Sequence, residues 1–316
     1  MRTLHIPLLQ LLLAFTWLPG LLPAPVMGAD NPYLVKSFTV KKGSDVQVST
    51  SGGSLTLEGK NGNEVIVKVF IRKNGSVVVD QGEIDEALEN LTIDVKQQGN
   101  RVIATAEKEN SFWEWDSYRV SFEVITPREI NSNLKTSGGS IKVSGVTGMQ
   151  QVKTSGGSLV FDQVDGELDG KTSGGSIRVN AFNGIMDIKT SGGSISINNA
   201  RGDMNAYTSG GSIKADYIDG SLVAKTSGGS IRANMLNVND RLELITYGGS
   251  ISAKLPVGTG MDLNLEGNRV KTSLNNFSGE SDDDYVRGSM NGGGIPVIMR
   301  TSGGTVTLNF MEQASK

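Results

Sequence analysis

The chain has 316 residues, 30 basic against 33 acidic, and its net charge of −3 excludes the basic footprint of a nucleic-acid-binding protein. It has no cysteine, and its single histidine, His5, falls in the N-terminal leader. The chain beyond the leader therefore has no route to Ser-His-Asp or Cys-His nucleophilic catalysis, His-based acid/base chemistry, ordinary zinc sites or disulfides, which leaves carboxylates, Lys, Tyr and Arg for any chemistry.

Residues 1–29 read as a secretory signal peptide: Arg2 precedes an apolar run over 6–18, and small residues come after it around Gly28 and Ala29. The run is well short of the ~20 residues a membrane helix needs, and Pro19, Pro23 and Pro25 break the segment directly after it. With no cysteine at the cleavage site, a lipoprotein-type anchor has no point of attachment. The exported chain keeps 29 basic residues against the same 33 acidic ones and is expected to contain no transmembrane segment.

Residues 30–130 predict a β-rich capping region. "VQVSTSGGSLTLEG" and "EVIVKVFIRK" alternate apolar with polar, the strand period, and "RVIATAE" and "YRVSFEVITP" resume it. Between them "GEIDEALENL" predicts one short helix with Ile84, Leu88 and Leu91 on one face.

Residues 131–255 are a repeat. TSGGS begins at Thr50, then at Thr136, Thr154, Thr172, Thr190, Thr208 and Thr226 with a constant spacing of 18, and returns as TYGGS at Thr246 and TSGGT at Thr301. A fixed short period marks an array whose units bury their apolar faces only against one another. Numbering each unit from its Thr, column six is Ile141, Leu159, Ile177, Ile195, Ile213 and Ile231, and column eight Val143, Phe161, Val179, Ile197, Ala215 and Ala233. Column eleven is Val146, Val164, Phe182, Ala200, Ile218 and Leu236, and columns fifteen and seventeen are mostly apolar, as in Met186 with Ile188.

The inward parity flips once between columns eight and eleven and again across the glycine pair, and each flip requires a bend. The paired glycines Gly138, Gly139, Gly156, Gly157, Gly174, Gly175, Gly192, Gly193, Gly210, Gly211, Gly228 and Gly229 are structural turn residues on this reading. Column thirteen adds Gly148, Gly166, Gly184, Gly202 and Gly220. At such corners glycine supplies positive φ and lets the backbone pack against the turns above and below.

Two architectures fit. In an antiparallel meander Ser-Gly-Gly-Ser is a hairpin turn. In an all-β parallel β-solenoid (β-helix) each 18-residue unit is one coil, with equal columns stacked about 4.8 Å apart. The parity flips and near-identical columns favour the solenoid. Residues 256–316, where the spacing is lost until Thr301, predict irregular C-terminal coils and a cap that shields the end of the stack.

The SGGS-I-x-V units, the lead-in "VSFEVITPREINSNLKTSGGSI" and the closing "GGGIPVIMRTSGGTVTLNF" resemble a family of exported bacterial proteins regarded as candidate adhesins, of unknown function. The resemblance spans residues 35–310, implies a β-solenoid fold and supplies no catalytic residues.

Candidate sites are weighed against their structural alternatives. Column eighteen carries Lys135, Lys153, Lys171, Lys189 and Lys225, and column seven Lys142, Arg178, Lys214 and Arg232. This exposed basic stripe could meet polysaccharide, lipopolysaccharide or a cell-surface protein, or serve as a solvated face whose field Asp169 and Asp187 partly cancel. Asp162 with Asp165, Asn180 with Asn183, Asp216 with Asp219 and Asn234 with Asn237 offer calcium-type oxygens, but corners favour Asn and Asp for local backbone bonding as well. No metal or cofactor is assigned.

"GELDGKT" over 166–172 imitates a phosphate loop but has Asp165 where glycine is required. Arg201, Gly202 and Asp203 spell RGD, with Gly202 already demanded by its column. Trp113 and Trp115 suit sugar stacking or core closure.

The expected function is a non-catalytic exported interaction protein of the periplasm, cell surface or medium. One alternative is a carboxylate-based carbohydrate-active enzyme centred on Asp282, Asp283 and Asp284. Another is a purely structural envelope scaffold.

Overall fold

The computed structural model describes residues 31–108 and 118–311, so the expected leader and Trp113 and Trp115 lie outside the described residues. The described chain is all-β, a mostly parallel sheet of 22 strands with one short helix. The central strands Ile141–Lys153, Leu159–Lys171, Ile177–Lys189, Ile195–Thr208 and Ile213–Thr226 pair in parallel, each residue with the one eighteen positions on. Ile141 faces Leu159, Leu159 faces Ile177 and Gly166 faces Gly184. That parallel register overturns the meander, in which TSGGS would be the turn between antiparallel neighbours.

Columns six, eight, eleven, fifteen and seventeen point inward, as the alternation predicts; Leu159, Phe161, Val164, Leu168 and their equivalents in the next units are buried. The parity flip falls at column ten, where Gln163, Ala181, Asn199 and Tyr217 take φ between 53° and 58° and Gly145 a φ of 68°. A single left-handed residue turns the strand without ending its ladder. Column seventeen shows how the interior is filled. Where Phe161 occupies column eight, Gly170 stands opposite it, and a Cβ on Gly170 would lie 3.2 Å from the Phe161 ring. Large and small residues thus trade volume across the core.

The TSGGS phrase is a stacking device. From Thr136 to Thr246 each Thr hydroxyl accepts from the amide three residues on, as Gly157 N to Thr154 Oγ1 at 3.3 Å, and donates to the glycine carbonyl one layer below, whereas Thr50 donates to the Val120 carbonyl. The donated bonds run from Thr136 through Thr154, Thr172, Thr190, Thr208, Thr226, Thr246 and Thr301 at 2.6–2.9 Å. Ser158 N to Ser140 Oγ, at 3.1 Å, begins a second ladder beside it.

The reason for glycine differs between columns. In column four the backbone is not left-handed; a Cβ on Gly157 would sit 1.9 Å from the Gly139 carbonyl oxygen, so close approach alone demands glycine. In column three the same test on Gly174 meets nothing nearer than 3.5 Å. Positive φ, expected of these corners, belongs to column thirteen, where Gly184 has φ 137° and its Cβ would also lie 1.9 Å from the Gly166 oxygen.

Two expectations are corrected. Leu236 is exposed and Met235 takes the column-eleven place, facing Ile218, because this strand has one residue fewer than its neighbour between Ala233 and that place, so it lacks the left-handed column-ten residue; the residues that lengthen the unit to 20 enter only after Val238. The helix spans Gln81–Leu88 and buries Ile84 and Ala87, while Leu91 opens the following strand, Leu91–Gln98. Asp80 caps the helix by accepting from Glu83 N at 3.0 Å. Lys73 Nζ donates to Tyr118 Oη at 2.9 Å and Glu83 at 3.2 Å, and Tyr118 Oη donates to Glu86 at 2.9 Å, clasping the helix to the sheet. Those bonds, Tyr118 first, hold the Lys73 ammonium well above the ordinary lysine range.

At both ends the parallel stack gives way to antiparallel strands. Ser44–Thr50 lies beneath Ile130–Thr136, so that Thr50 faces Thr136, and Arg101–Lys108 lies beneath it in turn, covered by antiparallel Leu91–Gln98. At the other end Ile295–Thr301 stacks on Ile231–Thr246, with Thr301 facing Thr246. Met261–Glu266 stacks on that strand, with antiparallel Tyr285–Met290 and Phe277–Ser281 beyond it. No helix of the described residues is long and apolar enough to cross a membrane.

Candidate binding surface

The outward columns of the stack carry the candidate site residues. In column eighteen Lys171 is held by Asp169 at 2.9 Å, Lys189 by Asp187 at 2.9 Å and Lys225 by the buried Glu243 at 2.6 Å. The bond that Lys189 donates to Asp187 is the main reason its ammonium titrates above its ordinary value. Lys135 and Lys153 make no ion pair among the described residues. The basic stripe is thus neutralised along much of its length.

Column seven behaves differently. Lys142 and Arg178 stand apart, separated by Val160, whereas Lys214 and Arg232 are direct neighbours across one strand pair. Lys214 is bonded to Asp216 at 2.7 Å; Lys142, Arg178 and Arg232 have no ion-pair partner among the described residues.

The Asp and Asn columns are spent largely on one another. Asn180 Nδ2 donates to Asp162 at 2.7 Å and Asn198 Nδ2 to Asn180 at 2.9 Å; Asn234 bonds Asp216, and Asn237 bonds Asp219 at 3.1 Å. No group of three or more acidic side chains fit to hold a metal ion occurs among the described residues.

The two remaining short motifs are strand interiors. Gly166–Lys171 of "GELDGKT" belongs to Leu159–Lys171 and is paired on both sides, so it forms no phosphate loop. Arg201, Gly202 and Asp203 are paired on both sides too, with the Arg201 guanidinium on Asp219 at 2.8 Å, so the tripeptide is not displayed on a loop. Asp282, Asp283 and Asp284 form an exposed turn between Phe277–Ser281 and Tyr285–Met290. Their main chain accepts from Gly267 N at 3.0 Å and Val270 N at 2.7 Å, which gives the run a structural task.

The surface feature that sequence reasoning missed lies around Tyr217 and Leu236, which are 61% and 48% exposed. Together they form an apolar ridge between two grooves. One groove, of about 430 Å³, is lined with amides and carboxylates such as Asn183, Asn199 and Asp219. The other, of about 360 Å³, is lined by Lys214, Asp216, Arg232, Asn234 and Lys254. Arg232 faces Lys214 on one side, and Lys254 faces Asn234. A signal was present in the sequence: column ten holds Gly145, Gln163, Ala181 and Asn199 before Tyr217, and an aromatic side chain is poorly suited to the left-handed conformation that column requires.

No family model and no curated protein matches the sequence. Among solved structures, the chain is similar to a candidate adhesin from Bacteroides fragilis, at 11% identity over 88% of this chain and 96% of that one, with a TM-score of 0.41. It is similar to the same extent to a candidate lipid-binding protein from Parabacteroides distasonis, at 11% identity over 88% and 96%, TM-score 0.42. A candidate cell adhesion protein from Clostridium sporogenes overlaps 89% of this chain and 100% of its own at 11% identity, TM-score 0.20. The fold is established by this chain's own strand pairing.

Proposed function

We propose that this is an exported, non-catalytic interaction protein whose parallel stack is a β-solenoid of 18-residue coils, capped at both ends and presenting its long faces to an extended partner of the bacterial envelope or its surroundings. The observation that carries the reading is the unbroken Thr-to-Gly ladder from Thr136 to Thr301, which sets the outward columns at strand spacing along a rigid axis. A surface with that repeat suits a partner that is itself extended. The leader over 1–29 supports export, and the lack of His and Cys after it supports binding over catalysis. The SGGS-repeat family of candidate adhesins is the assignment these features favour.

The test is retention. Purified mature protein is passed over immobilised cell-envelope and polysaccharide fractions at low and physiological salt, with and without calcium. Retention on at least one fraction is expected. Passage through all of them under every condition would overturn the reading, and reducing-sugar release that depends on Asp282, Asp283 and Asp284 would replace it with the glycosidase alternative.

A further inference from the structure

We propose that the Tyr217–Arg232–Lys254 groove is a subsite for the carboxylate-bearing sugars of an acidic polysaccharide; the assignment rests on the binding role above and narrows it to one ligand chemistry and one place on the stack. Charge is the first argument. The groove contains three cations and one carboxylate, and Asp216 is committed to Lys214 at 2.7 Å. Arg232 and Lys254 stand exposed without an ion-pair partner among the described residues. Lys171, Lys189 and Lys225 of column eighteen are matched to acids, whereas Lys135, Lys153, Lys142 and Arg178 are unpaired as well among the described residues, so the groove is singled out by its charge together with the exposed Tyr217 beside it.

The second argument is the aromatic. Tyr217 is held at φ 58°, a conformation that resists bulky side chains, and is 61% exposed, so neither local backbone preference nor core packing accounts for its presence. An exposed aromatic face beside hydrogen-bonding groups is the surface on which the C–H face of a pyranose stacks. Leu236 extends that apolar strip to the next layer.

The third argument is period. Lys214 faces Arg232 and Asn234 faces Lys254 across adjacent strand pairs, so cationic and polar contacts recur at about 4.8 Å along the axis, close to the length of one sugar residue. A guanidinium in that position suits a planar carboxylate. Lys142 and Arg178 share column seven with Arg232 but have Gly145 and Ala181 at column ten, which makes them internal controls.

The experiment is calorimetry of the purified mature chain with oligogalacturonides, neutral oligoglucans of equal length, and dextran sulfate. Oligogalacturonides are expected to bind at least about tenfold more tightly than the neutral oligomers. The double variant Arg232→Gln with Lys254→Gln, and separately Tyr217→Asn, which tolerates the left-handed backbone, should each weaken that binding by about tenfold or more at unchanged melting temperature. Lys142→Gln with Arg178→Gln should leave it unchanged. Equal affinity for neutral oligomers, or binding of dextran sulfate as tight as oligogalacturonide and indifferent to Tyr217→Asn, would overturn the subsite. Retention on envelope fractions without oligogalacturonide binding would overturn the subsite and leave the broader role standing; loss of both would overturn both.

Discussion

The middle of the stack and its two ends solve the same problem with different chain paths. Between Thr136 and Thr226 each layer rests on the layer that immediately precedes it in sequence, eighteen residues back. At the ends the same phrase is present, but Thr50 faces Thr136 and Thr246 faces Thr301, pairings that jump over 64–127 and 257–294. In each case the described strands of the jumped-over segment form the outer layers, where antiparallel pairings join the parallel ones. Stacking therefore depends on matching columns and not on continuity of the chain. The ends differ from the middle chiefly in having an outside that must be closed against further strand addition.

The sharpest way to break the comparison is to hollow one layer in each region. Phe161 is fully buried in the middle of the stack, whereas Phe277 is half-buried on the outermost strand, Phe277–Ser281. Phe161→Ala should cost about 3–5 kcal/mol in denaturant unfolding, since Gly170 opposite cannot close the cavity. Phe277→Ala should cost about 1 kcal/mol or less and loosen only its own hairpin, because a terminal layer has one neighbour to lose. Equal global losses would mean that the ends are as cooperative as the middle.

A smaller and more selective effect separates the two glycines of one turn. A Cβ on Gly193 would lie 2.1 Å from the Gly175 oxygen, a backbone atom held by the ladder, while on Gly192 the nearest atom is 3.4 Å away. Gly193→Ala should destabilise by about 3 kcal/mol, the upper part of the overpacking range, and Gly192→Ala by under about 1 kcal/mol. Gly304→Ala meets the Gly249 oxygen at 2.3 Å in the last such turn, so chemical denaturation should show an early partial transition while the middle melts normally. A single transition in Gly304→Ala would argue against independent ends.

The same comparison explains how much could be read from the amino-acid order. Columns six, eight, eleven, fifteen and seventeen were legible because a parallel, in-register array repeats its burial with its period, and the parity flip required a bend between columns eight and eleven that the backbone puts at column ten. Thr50 and Thr301 were visible as phrases, but their partners were not, because pairing across long excursions leaves no mark in local periodicity. Leu236 was misplaced because Ile231–Thr246 lacks the column-ten residue of its neighbours, and only register shows which of Met235 and Leu236 turns inward. The paired glycines were recognised as structural, yet the cause in column four is the carbonyl beneath and not left-handed backbone. For the surface, Asp169 and Asp187 were legible as neighbours of Lys171 and Lys189 two residues away, whereas the match of Lys225 to Glu243, eighteen residues away, appears only in the stacked register.

The smallest expected effect probes the closure of the C-terminal end. Asp262 on Met261–Glu266 accepts from Ser289 Oγ at 2.7 Å and from Gly294 N at 3.1 Å, tying the turn of Asn291, Gly292, Gly293 and Gly294 to the strand beside it. Those bonds, Ser289 first, hold its carboxyl below the ordinary aspartate value. A folded-state pKa that is depressed contributes stability that is complete above the unfolded value of about 3.9 and lost as pH falls through the lower folded one. The Gly294 amide shift should therefore titrate together with the Asp262 carboxyl, at a midpoint below that of an unperturbed aspartate, while the central ladder amides stay unmoved. Asp262→Asn should abolish the Gly294 titration. An Asp262 midpoint at or above the ordinary value would show that the turn is closed by its left-handed glycines alone, and that the ends, like the middle, are held by backbone geometry without help from charge.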